Sequence, residues 1–125
     1  MNDHQRHSIF SLLYAVVLID NRVVKVEVDM FFAKIESYLA QTSFIETLKA
    51  KSIISTWFVQ NYKNILTEMK SPDREAFILK FVEDLKHYRQ RQDIYDIMKE
   101  IALSDDEYHD EERQFLEKVS DNWNL

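Results

Sequence analysis

The stretch that decides the fold runs from Ile9 to Phe31, IFSLLYAVVLIDNRVVKVEVDMF. Its first half, to Ile19, is apolar almost all round, the pattern of a helix buried on every side. At eleven residues this run is about half the roughly 20 needed to cross a bilayer, so no membrane span is expected. Asp20 to Lys25 interrupts it, and apolar residues then resume at helical spacing with Met30, Phe31, Ile35, Tyr38 and Leu39. The reading is a central helix over about Gln5–Ile19, a charged loop, and a second helix laid back on the first.

Composition points the same way. The 125 residues include no glycine, no cysteine and one proline. Without glycine, the positive-φ turns of tight hairpins and the loops that cradle nucleotide phosphates lose their usual residue. Without cysteine there is no disulfide framework, thiolate metal site or cysteine nucleophile. Absent cysteine and no recognisable leader cleavage site place the chain in the cytoplasm as an expectation.

Outward from Phe31 the helical spacing continues. Ser43 and Glu46 have the spacing of a capping box that opens a third segment. A longer stripe follows at Ile54, Trp57, Phe58, Ile65, Leu66 and Met69. Ser71 and Pro72 mark a break, a capping serine followed by proline at the first helical position. Further stripes carry Phe77, Ile78, Phe81, Val82 and Leu85, then Ile94, Ile97, Met98 and Ile101, and last Phe115, Leu116 and Val119. These predict an all-α fold: one compact bundle of six or seven helices, residues 1–125 forming a single domain.

The chain also repeats. Moved by 85 positions, Ile9 falls on Ile94, Leu13 on Met98, Asp20 on Asp105, Val23 on Tyr108, Glu27 on Glu112 and Phe31 on Leu116. Two amphipathic helices always match at apolar positions, so the loop carries the weight: an Asp, an apolar residue three later and a Glu seven later, in both copies. Two helix–loop–helix units, about 5–40 and 90–123, are therefore expected to be related by a pseudo-two-fold axis.

In each unit the aspartate sits where a helix ends, a place its dipole disfavours for a carboxylate, so loop amides or a cation must compensate. The glutamate falls in the first turn of the next helix, where the dipole favours it. The apolar residue between them, Val23 or Tyr108, is expected to plug the loop into the core. Folded back, each loop gathers the oxygen donors that hard divalent cations prefer.

At these residues the sequence resembles the TerB-like family of tellurite-resistance and stress-associated operons and J-domain co-chaperones. The carrying motifs are Asp20-Asn21-Arg22-Val23-Val24-Lys25-Val26-Glu27 and Asp105-Asp106-Glu107-Tyr108-His109-Asp110-Glu111-Glu112. The family's loop glycine is replaced by Asn21 and Asp106, two residue types that tolerate left-handed geometry. The first loop also carries Arg22 and Lys25, so the second is the richer cation site. The candidate ligands are Asp105, Asp106, Glu107 and Glu112, with Asp20 and Glu27 as a weaker counterpart, and calcium or magnesium as the favoured ion. An EF-hand does not fit, because Leu116 stands where the twelfth-position glutamate belongs.

Other constellations say less. His4 and His7 are spaced to share a helix face but read as surface histidines. His109 sits in the acidic loop, where it could serve as a nitrogen ligand, but reads first as a helix cap or a solvent-facing ring. Trp57, Phe58 and Tyr62 read as core rather than as a stacking platform. Lys86, His87, Tyr88, Arg89 and Arg91 read as cations at a helix C-terminus rather than as a docking surface. The Glu-x-x-His pair of a ferritin-like di-iron centre is absent.

Charge is polarised: net zero over residues 1–62, +2 over 63–92 and −8 over 93–125. An acidic end repels phosphate backbones, which argues against nucleic acid as partner. The expectation is a non-enzymatic, stress-associated interaction module whose acidic loops take a divalent cation, with an unidentified protein partner and room for a homodimer. A metal-assisted hydrolase using the second loop, and a purely structural helical domain that oligomerises, are the alternatives.

Overall fold

The structure is a computed structural model that describes the chain except residues 21, 44 and 105–108. Among the described residues there are six α-helices and no strand: α1 (Asp3–Leu18), α2 (Lys25–Thr42), α3 (Thr47–Met69), α4 (Arg74–Asp84), α5 (Arg91–Ala102) and α6 (Asp110–Trp123). The expected all-α bundle is what forms.

α1 is the axis of the bundle. Every side chain from Ser8 to Leu18 is buried, and α2, α3, α4 and α5 all pack against it. It begins two residues before the sequence suggests, because Asn2 and Gln5 form a reciprocal capping box. The Gln5 N–H donates to Asn2 Oδ1 at 2.7 Å, and the Asn2 N–H donates to Gln5 Oε1 at 3.1 Å.

Around α1 the core is dense in aromatic rings. Phe10 meets Trp57 edge-on at 5.4 Å, Tyr14 meets Phe58 at 5.2 Å, and Phe58 stacks on Tyr62 at 5.0 Å. These contacts confirm the core reading of the Trp57–Tyr62 stripe, and such pairs add about 0.5–1.5 kcal/mol beyond burial. At the far end Trp123 is fully buried, its indole N–H donating to the Val82 carbonyl at 2.8 Å.

Two helix boundaries differ from expectation. Ser43 does not open α3. It closes α2, its N–H bonded to the Leu39 carbonyl, and Glu46 takes the N-cap position of α3. Ser71 acts one step earlier than a helix cap, its Oγ accepting from the Asp73 N–H at 3.1 Å. Asp73 then becomes the N-cap of α4. At Ser71 the short side chain satisfies a turn amide instead of a helix amide, whereas Ser43 acts through its backbone N–H.

The internal repeat is visible in the helix starts. α2 begins at Lys25 and α6 at Asp110, residues that correspond under the shift of 85 positions. Their N-caps, Val24 and His109, correspond too, both in extended backbone.

Candidate functional site

The first loop leaves α1 through Ile19, whose carbonyl accepts from Arg74 Nη2 at 2.5 Å. An arginine at that point satisfies an end-of-helix carbonyl and opposes the negative end of the helix dipole. Asp20 follows, and its Oδ1 accepts from the Arg22 N–H at 3.1 Å, a turn closed by the aspartate side chain itself. That turn points Asp20 Oδ2 toward the second loop.

There it meets His109, the N-cap residue of α6, with 3.6 Å between Asp20 Oδ2 and His109 Nε2. Glu112, in the first turn of α6, is 1% exposed and belongs to the same cluster. One donor atom from each of Asp20, His109 and Glu112 lies within 4.8 Å of the other two. Donors bound to one ion at 2.0–2.5 Å stand roughly 3–4.5 Å apart, so the separations in this trio approach those of ligands that share a cation.

Arg22 is the other occupant of the space. Its Nη2 donates to His109 Nε2, and its Nε lies 3.5 Å from Asp20 Oδ2. An arginine can only donate, so the imidazole offers it a lone pair at Nε2 and carries its proton on Nδ1. A metal ion would use that same lone pair. The guanidinium thus stands where a cation would, neutralising Asp20 with a charge covalently fixed to the chain.

Three sequence expectations change here. The loops were expected to gather ligands separately, yet Asp20 of the first loop faces His109 and Glu112 of the second. Glu27 is fully buried in the first turn of α2, as placed, but stands outside that trio. Val23 does not plug its loop. It is 61% exposed, while Ile19 is buried beneath the loop and Arg74 closes it from the side. Asp105, Asp106, Glu107 and Tyr108 lie outside the described residues.

His109 is the site residue that sequence reasoning undervalued, although the repeat held a signal for it. The shift that pairs Asp20 with Asp105 pairs His109 with Val24, marking a cap position beside the acidic residues. His7 also departs from the surface reading. Trp57 Nε1 donates to its Nδ1 at 3.0 Å, and its ring meets Phe81 edge-on. Arg91 opens α5 instead of closing the preceding helix, and the helix end it meets is that of α6, where its Nε donates to the Trp123 carbonyl at 3.0 Å.

The class is now defined: an all-helical bundle in which two corresponding helix–loop–helix pairs bring acidic side chains together at their loops. A family model described as tellurite resistance protein TerB matches residues 6–125, and the chain belongs to that family. Searches of curated proteins and of solved structures returned no match. Among the described residues no helix is long and apolar enough to cross a membrane.

Proposed function

We propose that the protein is a non-enzymatic, stress-associated interaction module whose two loops are joined by a divalent cation. The observation that carries this reading is the convergence of Asp20, His109 and Glu112 donor atoms within 4.8 Å. Membership of a tellurite-resistance family supports the stress association. Asp105, Asp106 and Glu107, next to this site in sequence, are further oxygen donors for the same ion. An imidazole among carboxylates extends the acceptable ions from calcium and magnesium to manganese and zinc. The cation would bind where Arg22 now lies, release the guanidinium to solvent and tie α1 to α6 more firmly. A partner that recognises the ordered loops would then read the ion as a switch.

The test is calorimetric titration of metal-stripped protein with calcium, magnesium, manganese and zinc, alongside thermal melts. Saturable heat and a raised melting point are expected, and Asp20→Asn should remove both. No heat and no thermal shift at millimolar ion overturns the reading.

A further inference from the structure

The end of α1 remote from the loops is attached to the bundle differently from its middle. Residues 1–4 are exposed and 5–7 half-buried, and the enclosure of α1 by its neighbours begins at Ser8. Side-chain bonds, not surrounding walls, therefore hold its first turn. On the α4 side, His4 Nε2 lies 3.3 Å from Asp84 Oδ2, and Ser8 Oγ donates to the same oxygen at 3.1 Å. On the α3 side, Trp57 Nε1 donates to His7 Nδ1 at 3.0 Å.

An indole N–H donates and never accepts, so His7 must offer a lone pair at Nδ1 and keep its proton on Nε2. A proton added at Nδ1 removes that lone pair and leaves two N–H groups facing each other. The ring stands among aromatic neighbours, 6.0 Å from Trp57 and edge-on to Phe81 at 5.9 Å. Lys80 of α4, whose Nζ lies 5.7 Å from the Phe81 ring centre, repels an imidazolium here, as does His4 of α1. Asp84 of α4 attracts it, and from α3 the group that meets the ring is the Trp57 indole. Burial is the largest influence, and together with His4 and Lys80 it holds the pKa of His7 below 6.5.

We infer that His7 is an acid-operated latch between α1 and α3: a proton on Nδ1 breaks the Trp57 bond, turns the imidazolium toward Asp84 and frees the first turn of α1. The two settings are different hydrogen-bonding states of one side chain, so a proton selects between them. In the open setting the Trp57 N–H needs water as its acceptor, and the departing turn lets water in. Ser8 to Leu18 remain enclosed, which confines the opening to residues 3–7 and to the aromatic surface of Trp57 and Phe81 beneath them. His7 stands 12 residues before Ile19, about 18 Å along the helix, so the latch is independent of the function proposed above.

A pH titration of the full chain followed by two-dimensional NMR tests this, in chelator so that metal binding plays no part. The Trp57 indole resonance is expected to lose its hydrogen-bonded shift as His7 titrates below 6.5. The Trp123 indole, bonded to the Val82 carbonyl, should stay fixed in the same spectra. Amides of residues 7–10 have their acceptors in the first turn. Their protection should fall about tenfold for every pH unit between the His7 midpoint and 6.5. His7→Gln can accept from the indole through Oε1 and cannot titrate, so its first turn should stay closed in acid. Trp57→Phe removes the donor and should raise the His7 midpoint toward 6.5; if that core variant does not fold, the wild type and His7→Gln decide the matter. A His7 midpoint at or above 6.5, a Trp57 indole that ignores the titration, acid opening that persists in His7→Gln, or both indoles shifting together as the whole bundle unfolds would each overturn the inference.

Discussion

Arg22 Nη2 donates to His109 Nε2 across 87 positions of sequence, holding the first acidic loop to the second. The contact places a guanidinium on the lone pair a metal would need and beside the carboxylate that would share it. The arginine thus fastens the two loops together and, under the function proposed above, would compete with a cation for the same donors.

That double role gives Arg22→Gln opposite effects in two conditions. In chelator the variant should melt below the wild type, because the loops lose their cationic link. With a divalent ion it should bind more tightly by about tenfold, the scale of removing one positive charge at partly screened contact distance. Parallel melts and calorimetric titrations read both. Equal or weaker ion affinity in the variant would mean that Arg22 does not compete for the site.

His7 makes stability depend on pH. Burial is the main cause lowering its pKa below the usual 6.5, with His4 and Lys80 adding to it and Asp84 opposing. The Trp57 hydrogen bond to Nδ1 also requires the neutral ring. The unfolded chain therefore takes up a proton on His7 at a higher pH than the folded chain does. This contribution is complete above 6.5 and is lost as pH falls from there through the lowered folded value. The urea midpoint should drop as pH falls below 6.5, with Trp57 fluorescence changing in step. His7→Gln, which cannot titrate, should flatten that part of the profile. An equally steep profile in the variant would assign the dependence to other groups.

Ser11 offers a stabilising substitution. Its side chain is fully buried on α1, and its Oγ has no hydrogen-bond partner among the described residues. Ser11→Ala removes a desolvated hydroxyl and improves helix propensity, so a gain of about 0.5–1 kcal/mol is expected in urea unfolding. A loss of stability would show that the hydroxyl is satisfied by a buried water.

The bundle was legible because its signals are local. The uniform apolarity of Ile9 to Ile19 requires a helix surrounded by others, and the shift of 85 positions correctly pairs the starts of α2 and α6. The site was legible only in part. Asp20 and Glu112 stand out by type and spacing, and the fold brings both beside His109. Their meeting across two loops does not follow from spacing within either loop, since that depends on how α1 and α5 pack. Glu27 shows the complement of this: its position in the first turn of α2 was readable, yet packing keeps it outside the trio. Val23 is exposed while Ile19, four residues earlier, is buried, so the apolar anchor at this loop is the residue that ends α1.

The burial of α1 on all sides has a thermodynamic consequence. Four helices use the same central rod as their inner wall, so none of them can detach without exposing apolar surface on α1 as well. Local opening then costs nearly as much as global unfolding over the middle of α1, and the backbone amides of Leu12 to Val17 should exchange with solvent only through the fully unfolded state. α6 leans on α4 and α5 instead, so its opening would expose Leu116, Val119 and Trp123 but leave the wall of α1 covered. The helix that carries Glu112 can therefore open at a lower cost than the centre of the bundle.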